Sequence, residues 1–289
     1  MNLNILYRGP LTSCNYGCVY CPFAKTKNTR DELAHDRQAL ERFIGWVEEH
    51  SNHRFGILIT PWGEGLIRRW YQEGLVRLSH MEHVHRAVIQ TNLSCPIGWV
   101  EGAQRDSLAL WATFHPEWVD REAFVAKCLA LDAQGIRLSV GVVGFPEFRA
   151  SIQAMRDALP KRVYLWINAV KRELHRLTED DYRFFESIDP LYRFNTHRYP
   201  SQGRSCRAGA TTFSVDGDGT MRRCHFIPEP IGNIYVPGFE RFLRERPCTN
   251  EVCRCHIGYV HMDYLELSKV FGSGILERIP EGYPHTFSP

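Results

Sequence analysis

Short apolar runs alternate with amphipathic stretches between residues 3 and 188 of this 289-residue chain. Apolar runs bounded by turn residues predict buried strands, and apolar residues at helical spacing predict the helices between them. The predicted strands are residues 3–7, 55–60, 85–91, 108–114, 137–143 and 163–170. The predicted helices are residues 31–50, 66–78, 120–134, 148–159 and 178–188, with Asp120 as an N-cap and Gly135 as a stop. Strands that alternate with helices form a parallel sheet, so we expect an α/β protein.

Length, charge and hydropathy restrict the class of protein. A chain of 289 residues buries a sizeable core and forms one large domain, or one large and one small domain. The formal net charge is +2 with acidic and basic residues interspersed, so neither nucleic acid nor an anionic membrane is expected as a partner. The N-terminal residues lack the features of a signal peptide, and no run of about 18 apolar residues occurs. These observations predict a cytoplasmic protein.

Eight of the ten cysteines lie in two groups near the ends of the chain. The first group is Cys14, Cys18 and Cys21, and the second is Cys206, Cys224, Cys248, Cys253 and Cys255. Cys95 and Cys128 stand alone and are predicted to be ordinary buried thiols. A secreted disulfide framework suits far shorter chains and conflicts with the missing signal peptide. Metal binding therefore explains the grouped thiols better than disulfides do.

The N-terminal group offers three thiols rather than four. Three residues separate Cys14 from Cys18, two separate Cys18 from Cys21, and the next cysteine is Cys95. A structural zinc site has four Cys or His ligands, and electron-transfer ferredoxins normally supply a fourth thiolate to each cubane. Three thiolates on a four-iron cubane leave one iron open to another ligand. A zinc site completed by a distant histidine such as His35 is the alternative.

With this spacing, and with the aromatic Tyr20 before the last thiol, residues 13–25 resemble the cluster loop of the radical S-adenosylmethionine (radical SAM) superfamily. The resemblance implies a catalytic [4Fe-4S] cluster on Cys14, Cys18 and Cys21, whose open iron takes the amino and carboxyl groups of S-adenosylmethionine. In that chemistry, reductive cleavage yields a 5'-deoxyadenosyl radical that removes a hydrogen atom from substrate. A low-potential electron donor of the flavodoxin or ferredoxin type is the implied partner. The resemblance also favours an open six-unit (β/α)6 barrel over a flat doubly wound sheet.

A second segment of the same resemblance follows the second predicted strand, where open sheets and barrels place their sites. Residues 60–65 read Thr-Pro-Trp-Gly-Glu-Gly and resemble the Gly-Gly-Glu segment that holds the methionine ammonium. Trp62 replaces the usual first glycine, so only Gly63 and Glu64 match. Other polar side chains end the later strands: Gln90, Thr91, Asn92, Thr113, His115, Glu147 and Asn168. By resemblance Asn92 and Thr113 are candidates for cofactor binding, and helix capping or turn formation is the alternative for each.

Residues 199–203 are the predicted linker between a barrel domain, residues 1–200, and a small domain, residues 201–289. The sequence Asp216-Gly217-Asp218-Gly219 between two strand-like runs predicts a hairpin, after which cysteine, proline and glycine dominate. Because the segment has little apolar sequence, a metal cluster would stabilise it. Twelve residues separate Cys206 from Gly219 and four separate Gly219 from Cys224. This spacing resembles the opening of the auxiliary-cluster domain called SPASM, or its shorter Twitch form.

Five C-terminal thiols complete only one cubane, so the resemblance implies one auxiliary [4Fe-4S] cluster. Its expected ligands are Cys206, Cys224 and two of Cys248, Cys253 and Cys255, and a four-cysteine zinc ribbon is the alternative. The nearby His225, His256 and His261 are candidates for spare ligands or for hydrogen-bond donors to the ligands. The aromatic residues of the tail are expected to pack over the barrel; they are Tyr259, Tyr264, Phe271, Tyr283 and Phe287.

The sequence thus predicts a radical SAM enzyme of oxidoreductase type that abstracts a hydrogen atom from substrate. Modification of a ribosomally made peptide is slightly favoured over oxidation of a small metabolite such as a sugar or nucleotide. Because the first predicted strand begins at Leu3, peptide recognition is expected to require a separate leader-recognition protein. A zinc-stabilised binding module and an iron-sulfur electron carrier are the more remote alternatives.

Overall fold

The computed structural model describes residues 1–24 and 26–284. The strands are β1 (Asn2–Arg8), β2 (Arg54–Ile59), β3 (Val84–Thr91), β4 (Leu108–Phe114), β5 (Arg137–Val143), β6 (Tyr164–Asn168), β7 (Tyr199–Pro200), β8 (Thr212–Asp216), β9 (Thr220–Arg222), β10 (Pro230–Asn233) and β11 (Val252–Cys253). The helices are α1 (Arg30–Glu49), α2 (Arg69–Ser79), α3 (Arg121–Ala133), α4 (Arg149–Ala158), α5 (Glu179–Ile188), α6 (Tyr192–Thr196), α7 (His256–Tyr259) and α8 (Leu267–Phe271). In this part of the chain, no helix combines the length and apolarity that a bilayer crossing requires.

One mostly parallel sheet dominates the structure, which confirms the predicted α/β class. Its strand order is β10-β9-β8-β1-β2-β3-β4-β5-β6, so β1 to β6 follow the order of the chain, each parallel to the next. Strand β8 pairs parallel with β1, and β9 and β10 continue the sheet antiparallel. A strictly sequential order is singly wound, unlike the doubly wound sheet that the periodicity left open.

The two faces of this sheet have different coverings. Helices α1 to α5 pack on one face, where Phe43, Leu75 and Phe124 join the main core. The opposite face carries Leu6, Leu58, Val88, Trp111 and Trp166, and it packs on Ile257 and Leu276 from the C-terminal segment. Right-handed crossovers between sequential strands place the crossover helices on one side in this way. Closure into a six-unit barrel stays a prediction.

The predicted hairpin is present as β8 and β9, and it belongs to the main sheet. Ser214 of β8 lies opposite Leu6 of β1, and Phe213, Val215 and Met221 are part of the main core. The hairpin therefore gains its apolar packing from the first strand of the chain. A domain boundary near residue 200 stays a prediction.

The C-terminal segment, residues 256–284, covers the face of the sheet opposite helices α1 to α5, here called the inner face, with aromatic and charged residues. Tyr259 and Phe271 are buried, and Tyr283 packs edge-on against Tyr164 with ring centroids 5.0 Å apart. Tyr264 is 43% exposed, so this ring is not packed as the sequence predicts. Phe287 lies outside the described residues.

Candidate functional site

A cavity of about 490 Å³ lies at the carboxyl ends of β1 to β6. These ends are where parallel sheets place their ligand sites. The cavity lining joins the N-terminal cysteine loop, the strand ends and the C-terminal segment. Its polar and charged residues are Arg8, Cys14, Tyr16, Cys18, Tyr20, Cys21, Glu64, Gln90, Thr91, Asn92, Thr113, His115, Asn168, Lys171, Asn195, Arg254, Cys255, His256 and Arg278.

The three N-terminal thiols, Cys14, Cys18 and Cys21, all border this cavity. Burial raises the pKa of the Cys14 and Cys18 thiols. The backbone N–H of Tyr16 donates to Cys14 Sγ at 3.4 Å, a contact that favours the thiolate. His35, the alternative fourth ligand of a zinc site, borders a different cavity.

Gly63 and Glu64 dock directly on the cysteine loop. The backbone N–H of Glu64 donates to Ser13 O at 3.1 Å, one residue before the first thiol. A Cβ on Gly63 would stand 1.9 Å from the same carbonyl oxygen, so a side chain cannot occupy this position unless the backbone moves. The two segments that the resemblance pairs are therefore held together by a backbone contact that requires glycine.

The Glu64 carboxylate is buried and accepts three hydrogen bonds from the chain. Thr91 Oγ1 donates at 2.8 Å, the Asn92 N–H at 2.6 Å and the Leu66 N–H at 3.0 Å. Burial nevertheless raises the pKa of Glu64, because desolvation exceeds the effect of these donors. The bonds fix the carboxylate at the cavity wall beside the ends of β2 and β3.

His115 joins the cysteine loop to the end of β4. Its Nδ1 lies 2.8 Å from the Tyr20 hydroxyl and 3.4 Å from Cys18 Sγ. Burial lowers the pKa of His115 to about 4, so the ring is neutral near pH 7. The neutral ring has one donor and one acceptor nitrogen, and it positions Tyr20 as well as the thiol.

Asn92, at the end of β3, is the strand-end residue that lies beside Cys14. Its Nδ2 donates to Asn15 Oδ1 at 3.0 Å and approaches Cys14 Sγ at 3.8 Å, while its Oδ1 accepts the Ser94 N–H. Asn92 therefore both forms a hydrogen bond within the turn after β3 and lies next to the cluster loop. Thr113 borders the cavity as well, whereas Glu147 does not.

The five C-terminal thiols divide between two cavities. Cys206, Cys224, Cys248 and Cys253 border a second cavity of about 520 Å³, and Cys255 borders the first cavity instead. Burial raises the pKa of Cys224 to about 11 and that of Cys253 to about 12, and the neighbouring thiols add to both shifts. His225, His256 and His261 do not border the four-thiol cavity. As the side chains stand in the described residues, no three Cys, His, Asp or Glu side chains are close enough to share one metal ion.

Arg223 faces the four-thiol cavity with unused hydrogen-bond donors. Its side chain is 97% buried, and Nε and one terminal nitrogen have no partner. A buried donor without an acceptor costs free energy, so a ligand with acceptor atoms suits this cavity. Thiolate-bound iron-sulfur clusters carry such acceptors in their sulfur atoms, so the donor set and Arg223 fit a cluster. Phe226 and Arg254 border both cavities, which therefore share a wall.

Sequence patterns did not indicate the positive charges of the first cavity. Arg8, Lys171, Arg254 and Arg278 all border it, although they are spread over most of the chain. Glu64 is the one carboxylate among the described residues of its lining. Only Arg8 and Lys171 have a local signal in the sequence, because each lies at or just after the carboxyl end of a predicted strand, and the carboxyl ends of parallel strands point the same way.

No protein-family model matches the chain, and no curated protein matches it either. Among solved structures it is similar to selenomethionine-labelled BtrN in an open conformation, with 12% identity, a TM-score of 0.36, and 80% of this chain and 75% of that chain covered. BtrN in complex with AdoMet and 2-DOIA gives 14% identity, a TM-score of 0.37, and 80% and 78% coverage.

Proposed function

We propose that this protein is a radical SAM enzyme with a catalytic [4Fe-4S] cluster on Cys14, Cys18 and Cys21. The observation that carries the proposal is the backbone bond between Glu64 N and Ser13 O, which joins the three-thiol loop to the Gly63-Glu64 segment beside one cavity. When bound, the cluster and S-adenosylmethionine supply a carbon-centred radical that removes a hydrogen atom from substrate. The protein binds, orients and shields the reacting groups.

Each part of the cavity has a task under this proposal. The fixed Glu64 carboxylate would accept hydrogen bonds from the methionine ammonium, and Asn92 and Thr113 would bind the rest of the cofactor from the ends of β3 and β4. His115 holds Tyr20 and Cys18 in place through Nδ1. The aromatic rings of Trp111 and Trp166 cover the inner face of the sheet and keep water away from the reacting atoms.

We further propose one auxiliary [4Fe-4S] cluster, held by Cys206, Cys224, Cys248 and Cys253. Its support is the placement of these four thiols around one cavity, with the unpaired donors of Arg223 beside them. A single zinc ion holds its thiolates only about 3.8 Å apart, since each Zn–S bond is about 2.3 Å long. Among the described residues, no three of these side chains stand that close together, which argues against a single ion at the four-thiol cavity. The wall shared through Phe226 and Arg254 brings this cluster close to the substrate.

The size of the first cavity favours a small metabolite as substrate. At about 490 Å³ the cavity is within the usual range of small-molecule sites, and S-adenosylmethionine has to share it with the substrate. A folded or extended peptide would extend beyond this space. An oxidoreductase acting on a small metabolite is therefore the substrate class that we put forward. Modification of a ribosomal peptide stays a prediction of the sequence.

Metal analysis and cofactor cleavage test the proposal. Protein purified without oxygen should contain about eight irons with matching sulfide. With dithionite, or with a flavodoxin or ferredoxin as donor, it should convert S-adenosylmethionine to 5'-deoxyadenosine. Cys14→Ala should abolish that product, while Cys128→Ala, a buried thiol of α3 outside both cavities, should retain it. Zinc in place of iron, or 5'-deoxyadenosine from Cys14→Ala, would refute the assignment.

The auxiliary site has its own test. Cys224→Ala should lower the iron content by about half without removing the cluster of the N-terminal loop. Cys255→Ala should leave the iron content at its original value, because Cys255 borders the other cavity. An equal loss of iron in both variants would contradict the division of the thiols. Reduction of the clusters without cleavage of S-adenosylmethionine would identify an electron carrier.

A further inference from the structure

We propose that the substrate carries an oxyanion, a phosphate or carboxylate group, which binds among Arg8, Lys171 and Arg278 in the first cavity. The inference rests on the proposed function, because it takes this cavity as the active site. It goes further by specifying the charge of the substrate and the side chains that recognise it.

Arg278 is the strongest indication. Its side chain is 96% buried and borders the cavity, and Nε has no hydrogen-bond partner. The guanidinium lies over the ring of Trp166, with its central carbon 4.2 Å from the ring centroid, and 5.6 Å from that of Trp111. Stacking fixes the plane of the guanidinium and leaves its N–H edge available for an anion. A buried cation with an unused donor is costly unless a ligand pairs with it.

Arg8 and Lys171 approach the same region from the opposite edges of the parallel strand set. Arg8 ends β1, donates from Nε to Thr60 O at 2.9 Å, and stacks on Trp62 with a distance of 3.9 Å. Lys171 Nζ donates to the carbonyls of His197 and Arg254 at 2.8 and 2.5 Å, which leaves one of its three protons for a ligand. Both side chains border the same cavity as Arg278, so the three cations face one space.

Carboxylates of the protein do not neutralise this region. Within residues 1–24 and 26–284, Arg8, Lys171 and Arg278 form no ion pair with a carboxylate. Asp189 acts on Arg278 from a distance, but its carboxylate accepts from Tyr164 and from two backbone N–H groups. Asp216 acts on Arg8 but pairs with Arg222.

The cofactor does not supply the missing negative charge. S-adenosylmethionine has one carboxylate against an ammonium and a sulfonium, so its net charge is positive. Glu64, the carboxylate of the described lining, is already held by three donors from the chain. With Arg254 included, the lining has four cations and one carboxylate besides the three thiols of the cluster loop. Three thiolates on a cubane core would give the cluster a net charge of about −1 when oxidised and about −2 when reduced, which the net positive charge of S-adenosylmethionine partly or wholly offsets. An excess of about two to three positive charges therefore remains with cluster and cofactor bound. An anionic substrate balances this excess and is attracted to the cavity by it.

Calorimetric titration of cluster-loaded protein under nitrogen tests the inference, with pyrophosphate and succinate as probes of the two oxyanions. At least one probe should bind in the presence of saturating S-adenosylmethionine. Lys171→Gln and Arg278→Gln should each weaken its binding by about tenfold, since each removes a charge-assisted hydrogen bond. Arg278→Lys should restore part of the loss. Arg69→Gln, at an arginine that is 87% exposed, should bind like the unmodified protein.

Three outcomes would overturn the inference: no binding of either probe, competition between the probe and S-adenosylmethionine, or unchanged binding in Lys171→Gln. The Lys171 variant guards against misfolding of the Arg278 variants, because Lys171 is only partly buried. Failure of the proposed function is a separate result, namely no 5'-deoxyadenosine. Anion binding without cleavage would leave the oxyanion site standing and reject the radical chemistry.

Discussion

Gly63 is the residue at which the cavity depends most directly on a missing side chain. A Cβ atom added to Gly63 would lie 1.9 Å from the carbonyl oxygen of Ser13, which is too close for any side chain. The carbonyl belongs to the backbone and cannot move without moving Cys14. The close contact between Gly63 and Ser13 therefore makes the position of Cys14 depend on the segment that follows β2.

Gly63→Ala should accordingly displace the cysteine loop and lower both the iron content and the yield of 5'-deoxyadenosine at least tenfold. Gly45→Ala is the matched control. Gly45 lies inside α1 with no atom within 4 Å of an added Cβ, so the change should stabilise the protein by about 0.5–1 kcal/mol. Urea unfolding measures the second effect, and iron analysis measures the first. Full iron content in Gly63→Ala would show that the loop does not need this contact.

The charge of Lys171 is sensitive to pH in the neutral to alkaline range. The pKa of its ammonium is lowered to about 8, mainly by burial; Cys255 and Cys253 act to raise this pKa, and Arg278 and Arg198 act to lower it. Because the lysine is charged below its pKa, the cation is present at pH 7 and is lost as the pH rises through about 8. Anion affinity should fall over the same interval.

Pyrophosphate affinity should therefore decrease between about pH 7 and 9 in the unmodified protein relative to Lys171→Arg, whose guanidinium stays charged. Calorimetry at several pH values gives the two profiles. Pyrophosphate and the other groups titrate in the same way in both experiments, so the difference between the two profiles reports the titration of Lys171. Parallel profiles would mean that Lys171 does not titrate in this range.

At the scale of elements, the cysteine loop is held by the turn that starts α1. Asn28 Oδ1 accepts from the backbone N–H groups of Thr12 and Ser13, at 2.9 and 2.8 Å. Thr29 and Glu32 then form a capping box at the N-terminus of the helix. The residues on both sides of the loop are thus joined before any metal binds.

Asn28→Ala should leave two backbone donors without their acceptor, which costs about 1–3 kcal/mol of loop stability. We expect lower iron content in the N-terminal site and faster loss of iron to a chelator. Asn28→Asp keeps an acceptor oxygen and should behave nearly like the unmodified protein. Equal chelation rates for the two variants would show that the side-chain oxygen does not stabilise the loop.

Local patterns predict the elements well and their long-range pairing poorly. Strands β4 and β5 have the predicted bounds, because each is a mainly apolar run between polar turns. The Asp120 cap is confirmed, since its side chain accepts from Ala123 N. Helix α2 starts at Arg69 rather than at residue 66, because Leu66 lies in the turn after Glu64. Pairing of β8 with β1 joins residues about 200 positions apart, and no local pattern encodes such a contact.

Site residues that are close in sequence are likewise predicted, and site residues that the fold brings together from distant segments are not. Spacing alone selects Cys14, Cys18 and Cys21, which lie on one short loop. Spacing cannot tell which of Cys253 and Cys255 borders the four-thiol cavity. The chain passes there from β11 to the N-cap of α7, and this change turns the thiol of Cys255 toward the other cavity. The cations Arg8, Lys171 and Arg278 belong to three distant segments, so only the folded chain brings them together.

At the scale of the whole molecule, the C-terminal segment closes the face of the sheet that the helices leave open. Ser139 Oγ of β5 donates to the Glu277 carbonyl at 2.6 Å. The buried Glu277 carboxylate accepts from Arg137 Nε at 2.9 Å, and Arg86 Nε lies 3.2 Å from the same oxygen. The next residue, Arg278, faces the cavity. Attachment of this segment to β3 and β5 therefore also positions a wall of the proposed active site.

Glu277→Gln tests this attachment. The change removes the negative charge between Arg86 and Arg137 and leaves two arginines facing a neutral amide, so unfolding should become easier by roughly 3 kcal/mol. Glu41→Gln removes an exposed partner of Arg37 and should change stability by less than about 1 kcal/mol. Urea unfolding under nitrogen, followed by tryptophan fluorescence, compares the two. Because Arg278 is carried on the same segment, Glu277→Gln should also weaken pyrophosphate binding, which Glu41→Gln should not. Loss of stability without loss of anion binding would show that the ion pairs hold the segment but do not position Arg278.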